Sequence, residues 1–153
     1  MFSDLKVGSD GKDWSGAFIF RRVGNNTEIL VIEYTKRGRT SIKIAGGCCL
    51  AGQNPVDALG NEIVQELGPE LISMEKVHFA WTNEKVPGIH HQHFFVTPFD
   101  NLQGRLRTEE MYDEDELLGP PFWMDIDTAL RKLFVSHHQG LTHSLHLIKY
   151  CPD

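Results

Sequence analysis

The sequence predicts a mixed α/β sandwich, and three observations carry that expectation. Two runs rich in β-branched and aromatic residues, 17–22 and 28–34, flank a short segment of turn-forming residues. A strongly periodic amphipathic helix follows a double glycine. Later strand and helix patterns interleave without the regular βαβ repetition of a doubly wound parallel sheet.

Taken in order, residues 1–14 are polar, contain Gly8 and Gly11, and read as a loose N-terminal arm. Ala17 to Arg22 and Glu28 to Tyr34 form a β-hairpin across Gly24-Asn25-Asn26. Thr35 to Thr40 reads as a basic loop, and Ser41 to Ala45 as a short strand that ends in a turn at Gly46-Gly47. Asn54 is a good N-cap and Pro55 suits the first helical position. Val56, Leu59, Ile63 and Leu67 recur at helical spacing, and Gly68 fits the stop. Lys76 to Thr82 and His91 to Thr97 read as strands joined through Pro87-Gly88. Residues 100–118 form a polar, acidic connection, with a short strand near Phe122 to Met124. Asp127 to Phe134, capped by Asp125 or Asp127, and Leu141 to Lys149 read as helices. His137 and His138 fall in the linker between them.

A chain of 153 residues suits one domain with a real core. The formal charge of −6 argues against broad nucleic-acid or anionic-membrane binding, which need a basic surface. It leaves room for a small phosphorylated ligand, because a metal ion can bridge two sets of negative charge. Cys48, Cys49 and Cys151 make a poor disulfide framework, match no zinc spacing, and suit reduced thiols in a cytoplasmic protein. No apolar stretch approaches the ~20 residues of a membrane helix, and the polar N-terminus does not read as a signal peptide.

The chemistry concentrates between Gly46 and Gly68. Glu62 and Glu66 sit one helical turn apart on the face opposite the apolar stripe, beside Gln65. Side by side, two such carboxylates repel; a hard divalent cation turns that repulsion into a site. A preceding double glycine lets backbone approach a ligand closely. Read position by position, this run resembles the Nudix box, G-x(5)-E-x(7)-R-E-U-x-E-E-x-G-U, without a gap. Gly47, Glu62, Ile63, Glu66 and Gly68 match. Gln53 stands at the first glutamate, Asn61 at the arginine, Gln65 at the first of the paired glutamates, and Pro69 at the last apolar position. The resemblance extends over roughly residues 15–148.

The resemblance implies an α/β/α sandwich around a mixed β-sheet. It also implies hydrolysis of the pyrophosphate bond in a nucleoside diphosphate linked to another moiety, with Mg²⁺ or Mn²⁺ on Glu62 and Glu66. Gln53 and Gln65 would occupy the other catalytic positions, and the Gly46-Gly47 backbone would shape the pyrophosphate pocket. Because two acids and the arginine are replaced, the expected activity is altered or reduced. The alternative is an inactive Nudix domain that binds a nucleotide or a protein. A homodimer is also within the family's range.

Other residues extend the candidate site. Lys36, Arg37, Arg39 and Lys43 flank the strand before the double glycine and could reach a phosphate. Glu109, Glu110, Asp113, Glu114, Asp115 and Glu116 offer replacement acids from a later loop. His90, His91 and His93 form a separate cluster. If a strand opens at His91, it and His93 face one side and could bind a transition metal, given one or two further ligands that the sequence does not identify. No Walker loop, dinucleotide fingerprint or nucleophile elbow is present.

Overall fold

The structure is a computed structural model that describes residues 13–50, 52–69, 71–84 and 91–150. Most of the expected N-terminal arm, the Pro87-Gly88 turn, His90 and Cys151 lie outside the described residues. In chain order the strands are β1 (Trp14–Val23), β2 (Asn26–Lys36), β3 (Arg39–Lys43) and β4 (Ala45–Cys48), followed by helix α1 (Pro55–Leu67). Next come β5 (Leu71–Ile72), β6 (His78–Asn83), β7 (Gln92–Pro98), β8 (Leu102–Gln103), β9 (Met111–Asp113), β10 (Glu116–Leu118) and β11 (Phe122–Asp125). Helices α2 (Ile126–Lys132) and α3 (Val135–Tyr150) follow.

The main sheet runs β6-β7-β1-β2-β10-β9, with β3 and β11 also on β2 and β4 on β1. It is mixed: β1 pairs parallel with β7 and antiparallel with β2 and β4. Alternation along the central strands divides their side chains between two layers. Phe18 and Phe20 of β1, Ile29 and Val31 of β2, and Phe94 and Val96 of β7 share one core with Ala129, Leu133, Leu141 and Ile148 of the α2–α3 side. Their sequence neighbours Ala17, Ile19, Leu30, Ile32 and Phe95 face the other way and pack with Leu59, Ile63 and Leu67 of α1. The expected α/β/α sandwich is therefore observed.

Helix α1 begins and ends where its local signals place it. The Val56 N–H donates to Asn54 Oδ1 at 2.8 Å, and Gly68 closes the helix at φ 97°. Elsewhere five readings need correction. Gly46 and Gly47 are not a turn; they lie within β4, opposite Gly16 and Ser15 of β1. The supposed basic loop is mostly strand, reversed at Arg37-Gly38 between β2 and β3. The polar connection contains a hairpin, β9–β10, which turns at Glu114 with φ 56°. His137 and His138 belong to α3, not to a linker. Within the expected arm, Asp13 and Trp14 are buried, and Trp14 opens β1.

Candidate active site

Helix α1 lays its polar face along β4, and the β9–β10 hairpin leans over the same place. Between them opens a cleft of about 700 Å³. Glu62, Gln65 and Glu66 come from α1, Asp113, Glu114 and Glu116 from the hairpin, and Lys36 and Lys43 from β2 and β3. Gly46 through Leu50 and Trp14 complete its wall.

Glu66 is the best-anchored of these side chains, only 1% exposed. The Gly46 N–H donates to its Oε1 at 2.8 Å, and the Lys43 ammonium donates to Oε2 at 3.0 Å. Lys43 also donates to the Gly46 carbonyl at 3.1 Å. Burial pushes the Glu66 carboxyl up, and Lys43 and the Gly46 N–H oppose the rise. Glu62 has less help. Burial first, then the negative charge of Glu66, raises it to about 7; Lys43 opposes, while Asp113 and Glu116 add to the rise. A carboxyl held near neutrality by burial and by other carboxylates in a cleft is a common mark of a functional site.

The two glycines have different reasons to be glycine. A Cβ at Gly46 would lie 2.6 Å from the Ser15 carbonyl oxygen and 2.8 Å from the Gly16 Cα, both main-chain atoms. A Cβ at Gly47 would meet the Glu62 carboxylate, at 2.5 Å from Oε1. Gly46→Ala is therefore expected to cost roughly 1–3 kcal/mol by overpacking. Gly47→Ala should leave unfolding nearly unchanged and displace Glu62. Urea unfolding together with a divalent-ion titration separates the two outcomes.

Not every expected site residue reaches the cleft. The Gln53 side chain instead accepts from the Leu50 N–H at 2.9 Å, and the Gln53 N–H donates to the Leu50 carbonyl at 2.8 Å. Gln53 thus fastens the loop before α1. Arg37 and Arg39 sit at the end of the β2–β3 hairpin and line a different depression with Tyr34 and Phe134. Asn61 is exposed on α1. Of the acidic stretch, Asp113, Glu114 and Glu116 enter the cleft wall, whereas Asp115 pairs with Lys36 at 3.9 Å. Glu116 also faces Lys36, at 3.5 Å.

Two contributors escape the sequence reading. Trp14, hidden in the expected arm, walls the cleft. Arg107 positions the hairpin: its Nε donates to the Glu66 carbonyl at 3.0 Å and its Nη2 to the Gly119 carbonyl at 2.8 Å, tying the end of α1 to the exit of β10. No local pattern marks an arginine that bridges two backbone carbonyls so far apart in sequence. A smaller pocket of about 160 Å³ adjoins the cleft, sharing Trp14, Lys43 and Glu116 with it. It contains two buried polar atoms, Gln92 Oε1 and His137 Nε2, with no hydrogen-bond partner among the described residues. Burial pushes His137 down to about 3, so its ring is neutral.

Compared as sequence, the chain matches no protein-family model and no curated protein. Compared as structure, it is similar to many solved chains. The E. coli ORF135 protein aligns with a TM-score of 0.65 and 20% identity, over 92% of this chain and 93% of that one. The NUDIX domain of Shewanella oneidensis NrtR, complexed with ADP ribose, aligns at 0.65 and 9% identity, over 89% and 87%. A MutT NUDIX hydrolase from Burkholderia pseudomallei aligns at 0.61 and 19% identity, over 86% and 96%. With its mixed sheet between α1 and the α2–α3 pair, and with the glutamates of α1 turned onto β4, the chain has the Nudix fold.

Proposed function

We propose that the chain hydrolyses the pyrophosphate bond of a nucleoside diphosphate linked to another moiety, with a divalent ion and at reduced efficiency. The observation that carries this reading is the gathering of Glu62, Glu66, Asp113, Glu114 and Glu116 around one cleft, with Glu62 raised to about 7. That donor set fits Mg²⁺ or Mn²⁺, hard cations that take a few carboxylates and complete their shell with phosphate oxygens. Glu62 and Glu66 would hold the ion, and the hairpin acids compensate for the charge missing at Gln53 and Gln65. Bound there, the ion would neutralise the pyrophosphate and acidify the attacking water.

The chain's own groups do the rest. Lys36 and Lys43 offer ammonium donors to phosphate oxygens, and the Gly46-Gly47 backbone lets a ligand approach β4 closely. Glu62, which burial and the Glu66 charge hold near neutrality, would be driven to its carboxylate by the ion it holds. In the adjoining pocket, Gln92 Oε1 and His137 Nε2 would meet a polar group of the linked moiety or base. ADP-ribose, bound by the NrtR domain, is a compound of this class and a suitable first probe.

A turnover screen over nucleotide sugars, dinucleoside polyphosphates and nucleoside triphosphates, with Mg²⁺ and with Mn²⁺, tests the reading. Hydrolysis is expected in at least one class, falling roughly 10²–10⁴-fold in Glu62→Gln. Activity that survives Glu62→Gln combined with Glu66→Gln would refute the choice of residues.

One observation favours a second reading, a binding module without turnover. The Lys43 ammonium already holds Glu66 Oε2, so the cleft carries its own cation. Calorimetry distinguishes the two: ADP-ribose binding that needs no added ion, with no turnover in the screen, selects the binding module.

A further inference from the structure

Away from the cleft acids, the geometry points to a second metal site: we infer that Asp13, His91 and His93 form a transition-metal site that clamps the entrance of β1 to the start of β7. One donor atom from each residue lies within 4.8 Å of the other two. His91 Nδ1 is 3.2 Å from Asp13 Oδ1, and His93 Nε2 is 3.3 Å from Asp13 Oδ2. Ligands ~2.0–2.1 Å from a tetrahedral ion stand roughly 3.3–3.4 Å apart, the spacing of each imidazole nitrogen from its own Asp13 oxygen, and side-chain rotation would bring the two imidazoles, now on different oxygens, onto one ion. The same spacings sit at the long end of the range for a charge-assisted hydrogen bond.

The surroundings resemble the support that metal-bound imidazoles receive. A ligating histidine usually turns its second ring nitrogen onto an oxygen that fixes its tautomer. Thr82 Oγ1 lies 3.0 Å from His93 Nδ1, and a Glu84 carboxylate oxygen lies 3.7 Å from His91 Nε2. His91 therefore stands between two carboxylates. A cation on the Asp13 side would take Nδ1 and leave Nε2–H facing Glu84.

Burial and topology give the site its character. The side chains of Asp13 and His93 are 2% and 0% exposed, whereas His91 at 19% leaves an approach for the ion. The three residues belong to the α1 side of the sheet: Ser15, two residues after Asp13, reaches the Pro55 carbonyl at 2.8 Å, and Phe95, two after His93, packs in the α1 core. Asp13 also accepts the Cys49 N–H on its backbone carbonyl at 2.7 Å, so the clamp is joined to the loop that leaves β4. Two imidazoles and one carboxylate suit Zn²⁺, with a fourth position open to water, and also suit Co²⁺.

The test uses the full chain, stripped with a chelator and titrated with Zn²⁺ by calorimetry and with Co²⁺ by visible absorption, in excess Mg²⁺. One equivalent is expected to bind, with Co²⁺ bands of a four- or five-coordinate nitrogen–oxygen site. His91→Gln, at the partly exposed position and so least prone to unfold the chain, should weaken Zn²⁺ at least ~100-fold. Thr82→Val should weaken it roughly 10-fold through lost orientation of His93. Glu62→Gln with Glu66→Gln should leave Zn²⁺ affinity unchanged, which keeps this site distinct from the proposed hydrolase centre. Absence of binding in the parent chain overturns the assignment. So does binding unchanged in both His91→Gln and Asp13→Asn, or binding lost in the Glu62/Glu66 double variant.

Discussion

Glu66→Ala is expected to destabilise the chain by about 3 kcal/mol and to abolish divalent-ion binding in the cleft. Two groups lose a partner with that carboxylate. The Gly46 N–H, at 2.8 Å, is part of a buried strand, and truncation removes its acceptor. An orphaned buried donor costs roughly 1–3 kcal/mol. Lys43, 11% exposed, loses its partner on the Oε2 side. Truncating one member of a buried pair usually costs ~3–5 kcal/mol because the other charge remains buried. Lys43 can still turn toward Glu62 and keeps the Gly46 carbonyl, so the lower end of that range applies. Glu66→Gln retains an oxygen for the Gly46 N–H and is expected to cost about 1–2 kcal/mol, while losing the ion equally. Urea unfolding beside Mn²⁺ calorimetry reads both effects. A Glu66→Ala chain as stable as the parent would show that the contacts of Glu66 contribute little.

This dual role explains why the box remains readable although Gln53, Asn61 and Gln65 depart from it. Glu66 joins β4 to α1 whether or not an ion is bound, so its loss damages the fold. Glu62 is constrained differently: the absence of a side chain at Gly47 makes room for its carboxylate. Gln53 has taken a structural role in the loop, which an amide fulfils as well as a carboxylate. Gln65 lines the cleft from an exposed position, where a change of charge costs the fold little.

What is legible in the sequence follows from how local each signal is. Helix α1 carries its cap, first-turn proline, apolar period and stop within fifteen neighbouring residues, and all of them act within the helix itself. The Gly46-Gly47 strand reads as a turn because the reason for each glycine lies in a distant partner: Trp14, Ser15 and Gly16 of β1 crowd Gly46, and the Glu62 carboxylate of α1 fills the space beside Gly47. The start of α3 is hidden for the same cause. Gly140 looks like a helix breaker, yet a Cβ there would lie 2.7 Å from the Phe94 ring, and the helix accepts the glycine to pack on β7. The β9–β10 strands are only three residues each, with acids clustered at and beside the turn and Glu114 rather than glycine or asparagine at its left-handed position. Composition flags the stretch as a source of acids without choosing among its members. Arg107 makes that choice, through carbonyls forty-one residues upstream and twelve downstream. Asp13 is unreadable too, because its partners lie seventy-eight and eighty residues later.

The pH dependence of stability is expected to carry the mark of Glu62, and a divalent ion should reverse it. The carboxyl titrates near 4.5 when exposed and at about 7 in the folded chain. A raised folded pKa means that the native state holds the proton more tightly. Its stabilising contribution is complete below about 4.5 and is lost as pH rises through about 7. Every tenfold gain in proton affinity corresponds to ~1.4 kcal/mol, and solvent access to the half-buried side chain reduces the total to roughly 1–2 kcal/mol. The thermal midpoint should therefore fall across this window, with Glu66 contributing in the same direction. Glu62→Gln should flatten the fall, since an amide does not titrate. Mg²⁺ requires the ionised carboxylate, so it should raise the midpoint near pH 8 and have little effect near pH 5. Its benefit should vanish in Glu62→Gln. Scanning calorimetry across that range, with and without millimolar Mg²⁺, measures all of these differences. Equal Mg²⁺ stabilisation at both pH values, or stabilisation that persists in Glu62→Gln, would place the ion away from the carboxylates of α1.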